Sequence, residues 1–280
     1  ETIGVVGLGL IGGSLGLDLQ ELGYEVNGLV HKQDTAVRAK QLGLATTIST
    51  DQRILENCDL VILALPLNEI LNPQKELLEA LPEKAVITDV GSVKAPILKI
   101  WRDLHARFIA SHPMAGTTQS GVEAGVKNLF KGRPWICTPD SKTDPEALES
   151  IHEMVSNLGS KWITTDAENH DSAVALISHL PVLISAALLD TVGKEQNESI
   201  YALASQIASS GFADTTRVGG GNPILGTSMA STNAKAILRA LALYRGSLEK
   251  FESQIIEQDW TGLEEQLQLT KALRSNLVSN

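Results

Sequence analysis

Short apolar runs alternate with longer amphipathic segments in the first part of the chain, from Thr2 to about Thr165. Several of these runs are apolar at nearly every position, which is typical of parallel strands covered by helices on both faces. Alternation of such strands with helices predicts a doubly wound α/β sheet with these runs at its centre. The predicted strands are TIGVV, EVNGLV, LVILALP, KAVITDV, RFIASH, PWICTP and KWITT.

The pattern changes after Asp166. Strand signals stop there, and apolar positions recur at helical period, beginning with the stretch from Ala173 to Val192. Pro181 lies within this stretch and removes a backbone donor, so we expect the helix to kink or break near His179. The second half of the chain is therefore predicted to be all helical.

Later features complete this two-part organisation. Gly219–Gly221, followed by Asn222-Pro223, predict a loop before the next helix. The segment Gln254–Val278 is amphipathic and polar enough to be an outer helix. We predict an α/β domain at 1–165 and an all-helical domain at 166–280. The helical domain carries more apolar surface than a unit of its size needs, which predicts a homodimer formed through it.

Composition narrows the classes of partner. With 280 residues, of which 43% are hydrophobic, the chain can form two folded domains. Its net charge of -10 and its scattered 23 basic residues argue against a nucleic acid or an anionic membrane as partner. Cys58 and Cys137 are far apart and lack metal-ligand spacing, which suits a reducing compartment. There is no uninterrupted apolar run of about 18 residues, and a strand begins at Thr2, so we expect a cytoplasmic protein without a signal peptide. A removed transit peptide would leave no trace in this sequence.

A glycine-rich turn directly follows the first predicted strand and opens a helical pattern. It consists of Gly7, Leu8, Gly9, Leu10, Ile11 and Gly12. A strand before and a helix after are what a dinucleotide-binding turn requires. Gly7 permits the tight turn, Gly9 lets the backbone approach a pyrophosphate, and Gly12 lets the helix pack on the strand, while the N–H groups at the helix start receive the anion. The first domain is therefore predicted to bind a dinucleotide; a glycine turn that binds nothing is the alternative.

The second predicted strand should carry the residue that selects the cofactor. NAD-preferring proteins usually place an acid at its carboxyl end, against the ribose diol. Here Val30 occupies that place and is followed by His31 and Lys32, while Asp34 is interpreted as the N-cap of the next helix. Because a 2′-phosphate favours cations, we predict NADP, although Lys32 alone could be a solvated surface charge. The other predicted cofactor contacts are Leu65, Pro66 and Ser92.

Four further segments lie at the carboxyl ends of predicted strands or at helix breaks, where ligands of open α/β sheets gather. They are Asp89-Val90-Gly91-Ser92-Val93-Lys94, Ser111-His112-Pro113-Met114-Ala115-Gly116-Thr117, Ser178-His179-Leu180-Pro181 and Phe212-Ala213-Asp214-Thr215-Thr216-Arg217. Together they closely resemble the motifs of the prephenate/arogenate dehydrogenase family, in order and spacing, over essentially the whole chain. The sequence is most similar to the short arogenate dehydrogenases of cyanobacterial type, with GGGNP after the arginine.

This resemblance implies oxidative decarboxylation of a cyclohexadienol acid in tyrosine biosynthesis. Hydride leaves ring C4 for the nicotinamide, and loss of CO2 makes the ring aromatic. His112 is then the expected base, since a neutral imidazole with an ordinary pKa near 6.5 can accept the C4 hydroxyl proton. Ser92 matches the family's serine beside the nicotinamide, and Arg217 matches an arginine that grips one of the two substrate carboxylates. His179, Thr117 and Gln119 match positions near the other end of the substrate.

The chain departs from the family pattern in two places. Leu225-Gly226-Thr227 stands where many members place a tryptophan that reaches across a subunit interface. Thr118 and Gln119 stand where many prephenate-using members place a glutamate after the threonine of HPMAGT, which favours arogenate as substrate. The sequence also lacks a segment for an effector-binding domain, so any inhibition by tyrosine is expected at the active site.

Simpler interpretations exist for each candidate residue. His112 and His179 could be structural, Ser92 could cap a helix starting near Val93, and Arg217 could pair with Asp214 in a loop. The other histidines, at positions 31, 105, 152 and 170, are interpreted as surface residues. A β-hydroxyacid dehydrogenase would need Lys-x-x-x-Asn, which does not occur in this sequence. A non-enzymatic NADP-binding sensor is the remaining alternative. The presence of His112, Ser92 and Arg217 together argues against it.

Overall fold

The computed structural model describes residues 1–117 and 119–278 and divides into two compact units. The first consists of Glu1–Val174 and Gly221–Asn233, and the second of Ala175–Gly220 with the chain from Ala234 onward. The first unit is α/β and the second helical, so the predicted fold class is confirmed. The return of Gly221–Asn233 to the first unit is a feature that the sequence pattern did not indicate.

A six-stranded parallel sheet forms the centre of the first unit, in the order β3-β2-β1-β4-β5-β6. Its strands are β1 Thr2–Val6, β2 Glu25–Leu29, β3 Thr47–Ser49, β4 Leu60–Leu63, β5 Val86–Asp89 and β6 Phe108–Ile109. The order reverses between β1 and β4, which is the place where doubly wound sheets bind ligands. β3 is short and only partly apolar, and the sequence pattern missed it.

Two of the predicted strand segments, PWICTP and KWITT, and the end of a third, RFIASH, lie outside this sheet. β7 Ser111–Pro113, β8 Pro134–Cys137 and β9 Lys161–Thr164 form a second sheet, in which β7 and β8 are antiparallel and β8 and β9 are parallel. The sequence pattern did not indicate this second sheet. The run RFIASH divides at Ala110, whose carbonyl accepts from Thr138 N at 3.0 Å. Apolar content predicts a strand but does not select its partner, because pairing depends on distant segments.

Thirteen α-helices occur in the described residues. In chain order they are α1 Leu10–Glu21, α2 Gln33–Gln41, α3 Leu67–Leu71, α4 Lys75–Ala80, α5 Ala95–Leu104, α6 Pro145–Asn157, α7 Ala167–Val174, α8 Leu180–Gly193, α9 Glu198–Ile207, α10 Ser210–Thr216, α11 Pro223–Thr232, α12 Ala234–Ile256 and α13 Trp260–Leu277.

The main sheet separates two hydrophobic cores. Alternate side chains of β4 show this directly, because Leu60 and Ile62 pack in one core and Val61 and Leu63 in the other. All four are at most 1% exposed. Burying a leucine or isoleucine contributes roughly 1.5–3 kcal/mol, so a strand that is apolar on both faces is fixed strongly in the middle of the unit.

Only helices and turns occur in the described residues beyond β9, as predicted. The irregularity expected near His179 is a π-helical turn over Ala175–His179, after which α8 begins with Pro181 in its first turn. The single outer helix predicted over Gln254–Val278 was wrong. The chain breaks between α12 and α13, where Gln258 has a φ of 54° and the Asp259 side chain caps α13.

By length and composition alone, the helical stretch Ala167–Gly193 could cross a membrane, with a mean hydropathy of 2.0. This stretch also carries His170, Asp171 and His179, each at most 5% exposed. Ionisable side chains within a membrane are energetically costly unless they are paired. These three side chains do not suit a lipid-facing helix, and 28% of the most apolar window of the stretch is buried.

Candidate active site

The glycine turn lies at the carboxyl edge of the main sheet and has the shape that a dinucleotide needs. Gly7 has a φ of +91°, which favours glycine. A Cβ on Gly12 would lie 1.8 Å from the Gly7 carbonyl oxygen, so α1 can pack this closely only with glycine there. Around Gly9 there is open space, with nothing within 4 Å of an added Cβ. Leu10 and Ile11 form the first turn of α1, which has neither a side-chain cap nor an acidic residue, so its N–H groups suit an anion.

A cavity beside the end of β2 is lined by two residues that were predicted to contact the cofactor, His31 and Leu65. Val30 is buried in its wall, while His31 is exposed at its mouth. His31 Nε2 lies 3.2 Å from Glu69 Oε2, on α3. The sequence thus places no acidic residue at the end of β2, but the fold brings the Glu69 carboxylate next to His31. Leu65 also lines the cavity, Pro66 precedes α3 as its N-cap, and Lys32 is exposed as the N-cap residue of α2.

Asp34 lies in the first turn of α2, directly after β2. The interpretation of Asp34 as an N-cap was wrong, because α2 starts at Gln33 and no side chain caps it. Asp34 instead adds a negative charge to the first turn, where it interacts favourably with the positive end of the helix dipole.

Near the same edge, Arg53 hydrogen-bonds to the Asp51 carboxylate and lowers the pKa of Asp51 from its ordinary 3.8 to about 2.

One buried carboxylate holds both segments that carry the predicted catalytic residues. Asp89, at the end of β5, accepts from Gly91 N at 2.7 Å and from Ser111 N at 3.1 Å. Gly91 precedes Ser92, and Ser111 precedes His112. The Lys94 ammonium donates to Asp89 and, at 2.6 Å, to the Ser111 carbonyl. The loop after β5 and the start of β7 are therefore tied together by a single network.

The ion pair within this network is completely buried, since neither the Lys94 nor the Asp89 side chain is exposed to solvent. Burial raises the pKa of Asp89 and lowers the pKa of Lys94, and the charge of each partner opposes both shifts. Three donors converge on the Asp89 carboxylate, which favours its charged form. Burial also raises the pKa of the Cys137 thiol, across the sheet from Ser111, well above its ordinary value. Cys137 and Cys58 are both free.

The suggestion that Ser92 caps a helix was wrong. The helix is α5, which starts at Ala95, and its capping group comes from a distant part of the chain. Asp171 Oδ1 accepts from Lys94 N at 2.7 Å, and Asp171 Oδ2 accepts from Ala95 N at 2.9 Å. Ser92 itself is half-buried in the loop before the helix.

His112 is joined to this capping carboxylate through a second histidine. His112 Nδ1 lies 2.9 Å from His170 Nε2, and His170 Nδ1 lies 2.8 Å from Asp171 Oδ1. The interpretation of His170 as a surface residue was wrong, because it is 3% exposed. His112 is half-buried at the small sheet, opposite Ile136. Of the other three histidines, His31 is exposed as expected, whereas those at 105 and 152 are half-buried.

The HPMAGT segment runs from β7 to the surface. Thr117 and Gln119 are exposed, and Thr117 Oγ1 accepts from Gln119 N at 3.1 Å. Thr118, on which part of the substrate assignment depended, lies outside the described residues. Thr117 and Gln119 are thus accessible to a ligand, and their roles stay predictions.

His179 and Arg217 belong to the second unit. His179 ends the π-helical turn and is 2% exposed. Arg217 is exposed at the C-cap of α10, so the acid and threonines before it lie in a helix, contrary to the predicted loop. Among the described residues, Arg217 makes no ion pair with Asp214. Gly219 N donates to Ser185 Oγ at 2.7 Å, which holds the segment after Arg217 against α8.

The sequence interpretation missed four residues that organise the first unit's part of the site, namely Asp89, Lys94, His170 and Asp171. The sequence does contain a signal for His170 and Asp171. A histidine and an aspartate stand together just before an apolar helical run, and buried polar groups in such positions need partners. Nothing in the sequence indicated that the partners would be His112 and the start of α5.

Two protein-family models match the chain, one for each of its two parts. Residues 15–164 match the family model described as prephenate dehydrogenase, nucleotide-binding domain, and residues 166–269 match the model described as prephenate dehydrogenase, dimerization domain. The chain belongs to the prephenate dehydrogenase family. It is therefore an oxidoreductase that uses a nicotinamide dinucleotide.

Individual relatives cover nearly all of the chain. A cyclohexadienyl dehydrogenase of Zymomonas mobilis is 32% identical, over 92% of this chain and 90% of its own. The structure of a Synechocystis arogenate dehydrogenase is 40% identical, with a TM-score of 0.88, covering 99% and 100% of the two chains. That of an A. aeolicus prephenate dehydrogenase with hydroxyphenyl propionate and NAD+ is 28% identical, with a TM-score of 0.92, covering 99% and 98%.

Proposed function

We propose that this chain is a cytoplasmic, NADP-dependent arogenate dehydrogenase that forms tyrosine by oxidative decarboxylation. The observation that carries the reaction is His112, a histidine held by buried partners in the same unit as the dinucleotide turn. The choice of arogenate is supported by the 40% identity to the Synechocystis arogenate dehydrogenase, against 28% to the A. aeolicus prephenate dehydrogenase. Prephenate dehydrogenase is the alternative within the same chemistry.

His112 both takes and returns a proton in this scheme. A bound nicotinamide dinucleotide supplies the hydride acceptor. The C4 hydroxyl gives its proton to His112 as hydride leaves C4, and C4 becomes a carbonyl carbon. When CO2 leaves the quaternary carbon, the bond's electron pair passes through the ring to that oxygen, which regains the proton from His112 as a phenol. The carboxylate charge of the substrate is lost with CO2, so the sequence of steps balances without net release of a proton.

The other matched residues bind and orient the substrate. Arg217 suits one of its carboxylates, because a guanidinium donates two parallel hydrogen bonds to such a group. His179, Thr117 and Gln119 are proposed near the other end of the substrate. Ser92, on the loop after β5, is proposed beside the nicotinamide and His112.

The preference for NADP rests on the cations at the end of β2. His31 and Lys32 are both exposed there, and the buried Val30 presents no acid to the ribose. Glu69 complicates this preference, because its carboxylate already lies 3.2 Å from His31 and would compete with a 2′-phosphate for it. Glu69→Gln should therefore increase the ratio of NADP+ to NAD+ affinity, and His31→Ala should reduce it. Titration of 2′,5′-ADP and 5′-ADP would measure this without turnover.

A homodimer through the helical unit is proposed for its exposed apolar side chains. They include Ile200, Leu203, Ile207, Leu243, Ile255, Leu267, Leu269, Leu273 and Leu277, each more than half exposed. Monomeric proteins rarely expose this many large apolar side chains, whereas a second copy would cover them. The family model for residues 166–269 is described as a dimerization domain, which supports the same proposal.

The deciding experiment is formation of reduced cofactor from arogenate and from prephenate, each with NADP+ and with NAD+. The proposal expects the highest kcat/KM with arogenate and NADP+. A higher value with prephenate or with NAD+ would reverse the respective choice, and no turnover with any pair would favour the cofactor-binding sensor.

Two substitutions then test the roles of the residues. His112→Asn keeps a hydrogen bond but cannot accept the proton, so kcat should fall by about 10²–10⁴ with little change in substrate binding. Arg217→Ala should mainly raise KM, because it removes a carboxylate partner in the ground state. An unchanged kcat in His112→Asn would show that another residue is the base, and His179 would be examined next.

A further inference from the structure

We propose that Asp171 and His170 are positioning residues that fix the tautomer of His112, so that the proton-accepting lone pair lies on Nε2. This inference rests on the proposed function for its kinetic consequence, but its structural part can be tested without turnover. All three residues belong to the first unit.

The assignment starts at Asp171, whose two oxygens act only as acceptors. Oδ1 accepts from Lys94 N at 2.7 Å and Oδ2 from Ala95 N at 2.9 Å, at the positive end of α5. The backbone of Asp171 is itself held, because its carbonyl accepts from Asn233 Nδ2 at 2.8 Å. With backbone N–H groups on both oxygens, the carboxylate has no proton to offer to His170. At 2.8 Å from Asp171 Oδ1, the His170 Nδ1 atom must therefore be the donor.

The tautomer of the second ring follows from that of the first. A neutral imidazole that carries its proton on Nδ1 has a lone pair on Nε2. His170 Nε2 lies 2.9 Å from His112 Nδ1, so it accepts there and His112 Nδ1 donates. In neutral His112 the lone pair is then on Nε2. A doubly protonated His170 would also donate from Nε2 and would reverse this order, so the tautomer of His112 distinguishes the two arrangements directly.

The arrangement also helps when His112 takes the proton. The imidazolium keeps its Nδ1–H donated to His170, and the Asp171 carboxylate lies at the far end of the same chain of hydrogen bonds. Without a partner on Nδ1, a neutral imidazole prefers its proton on Nε2, which would leave no lone pair there to accept the substrate proton. A buried carboxylate that orients a catalytic histidine has the same effect in serine proteases, where loss of the correct tautomer lowers kcat strongly.

Two variants of His170 separate this role from simple packing. His170→Phe keeps a ring but can neither donate to Asp171 nor accept from His112. His170→Gln can still donate through its amide nitrogen and accept through its oxygen. We expect kcat to fall by about 10–10³ in His170→Phe, as part of the general-base contribution, with KM changed less than about threefold. We expect His170→Gln to recover a substantial part of that loss.

Nitrogen-15 NMR of histidine-labelled protein measures the tautomer directly. In the wild type, Nε2 of neutral His112 should show the shift of a nitrogen with a lone pair and Nδ1 that of an N–H, with His112→Asn identifying the signals. In His170→Phe this order should reverse or average. A lone pair on Nδ1 in the wild type would overturn the proposal, as would a kcat of His170→Phe within about twofold of wild type. If the wild type turns over no substrate, the proposed function fails while the NMR result still decides the tautomer. If His170→Phe does not fold, the wild-type spectrum and His170→Gln decide.

Discussion

The buried Lys94–Asp89 pair should be essential for the stability of the first unit. Lys94→Met retains most of the side-chain volume but removes the ammonium, leaving the Asp89 carboxylate buried without its cation. Both side chains are fully buried, and breaking such a pair typically costs 3–5 kcal/mol. Since whole domains are stable by only about 5–15 kcal/mol, the variant should lose roughly a fifth or more of its stability.

Urea denaturation followed by tryptophan fluorescence would measure this loss, because Trp101 and Trp135 are fully buried in the same unit. Lys99→Met provides the matched control, since Lys99 lies on the exposed face of the same helix and its loss should cost less than about 0.5 kcal/mol. Adding Asp89→Asn to Lys94→Met should recover part of the stability, because the amide oxygen still accepts hydrogen bonds but no charge remains buried.

The reasoning would be refuted if Lys94→Met were within about 1 kcal/mol of wild type. It would also be refuted if the double variant were no more stable than Lys94→Met. The first outcome would show that the Asp89 carboxyl becomes neutral at no cost, and the second that the loss comes from packing and not from the isolated charge.

Three further predictions concern other parts of the chain. Gly12→Ala should lower the Tm, since its Cβ would lie 1.8 Å from a backbone oxygen, whereas Gly9→Ala should keep the Tm and weaken cofactor binding in a titration. Carbon-13 NMR should find the pKa of Asp51 at about 2, so its stabilising interaction is present above 3.8 and lost as the pH falls through about 2; Arg53→Gln should move it back toward 3.8. Leu273→Lys should shift light scattering from dimer to monomer; a monomeric wild type at micromolar concentration would contradict the proposed assembly.

The sequence predicted the parts of the fold that depend on local pattern. The central strands and the glycine turn follow from nearly continuous apolar runs and from three glycines at fixed spacing, and both are present. The second sheet could not be predicted, because it requires β8 to pair with β7 and β9 instead of with β6. Likewise, the boundary between α12 and α13 depends on one residue with positive φ, Gln258, in a sequence that is otherwise helical.

The candidate site was predictable only residue by residue. His112, Ser92 and Arg217 were found through family motifs, whereas their supports were not. The contact between His170 and His112 joins residues 58 positions apart, and that between Asp171 and Lys94 joins residues 77 apart. Glu69 reaches His31 across 38 positions. No periodicity connects such pairs, because the fold and not the local sequence brings them together.

Lys94 links the two systems that hold the proposed base. Its ammonium bonds to Asp89 and the Ser111 carbonyl, which fixes the backbone next to His112, while its backbone N–H bonds to the carboxylate of Asp171. The first system sets where the imidazole lies, and the second sets which nitrogen carries its proton. Lys94→Met should therefore lower both stability and kcat, but it should leave the NMR tautomer of His112 unchanged, because its backbone N–H remains. His170→Phe should also lower kcat, but it should change the tautomer of His112 and cause a smaller loss of stability. If the two variants gave the same pattern, position and tautomer would not be separately controlled.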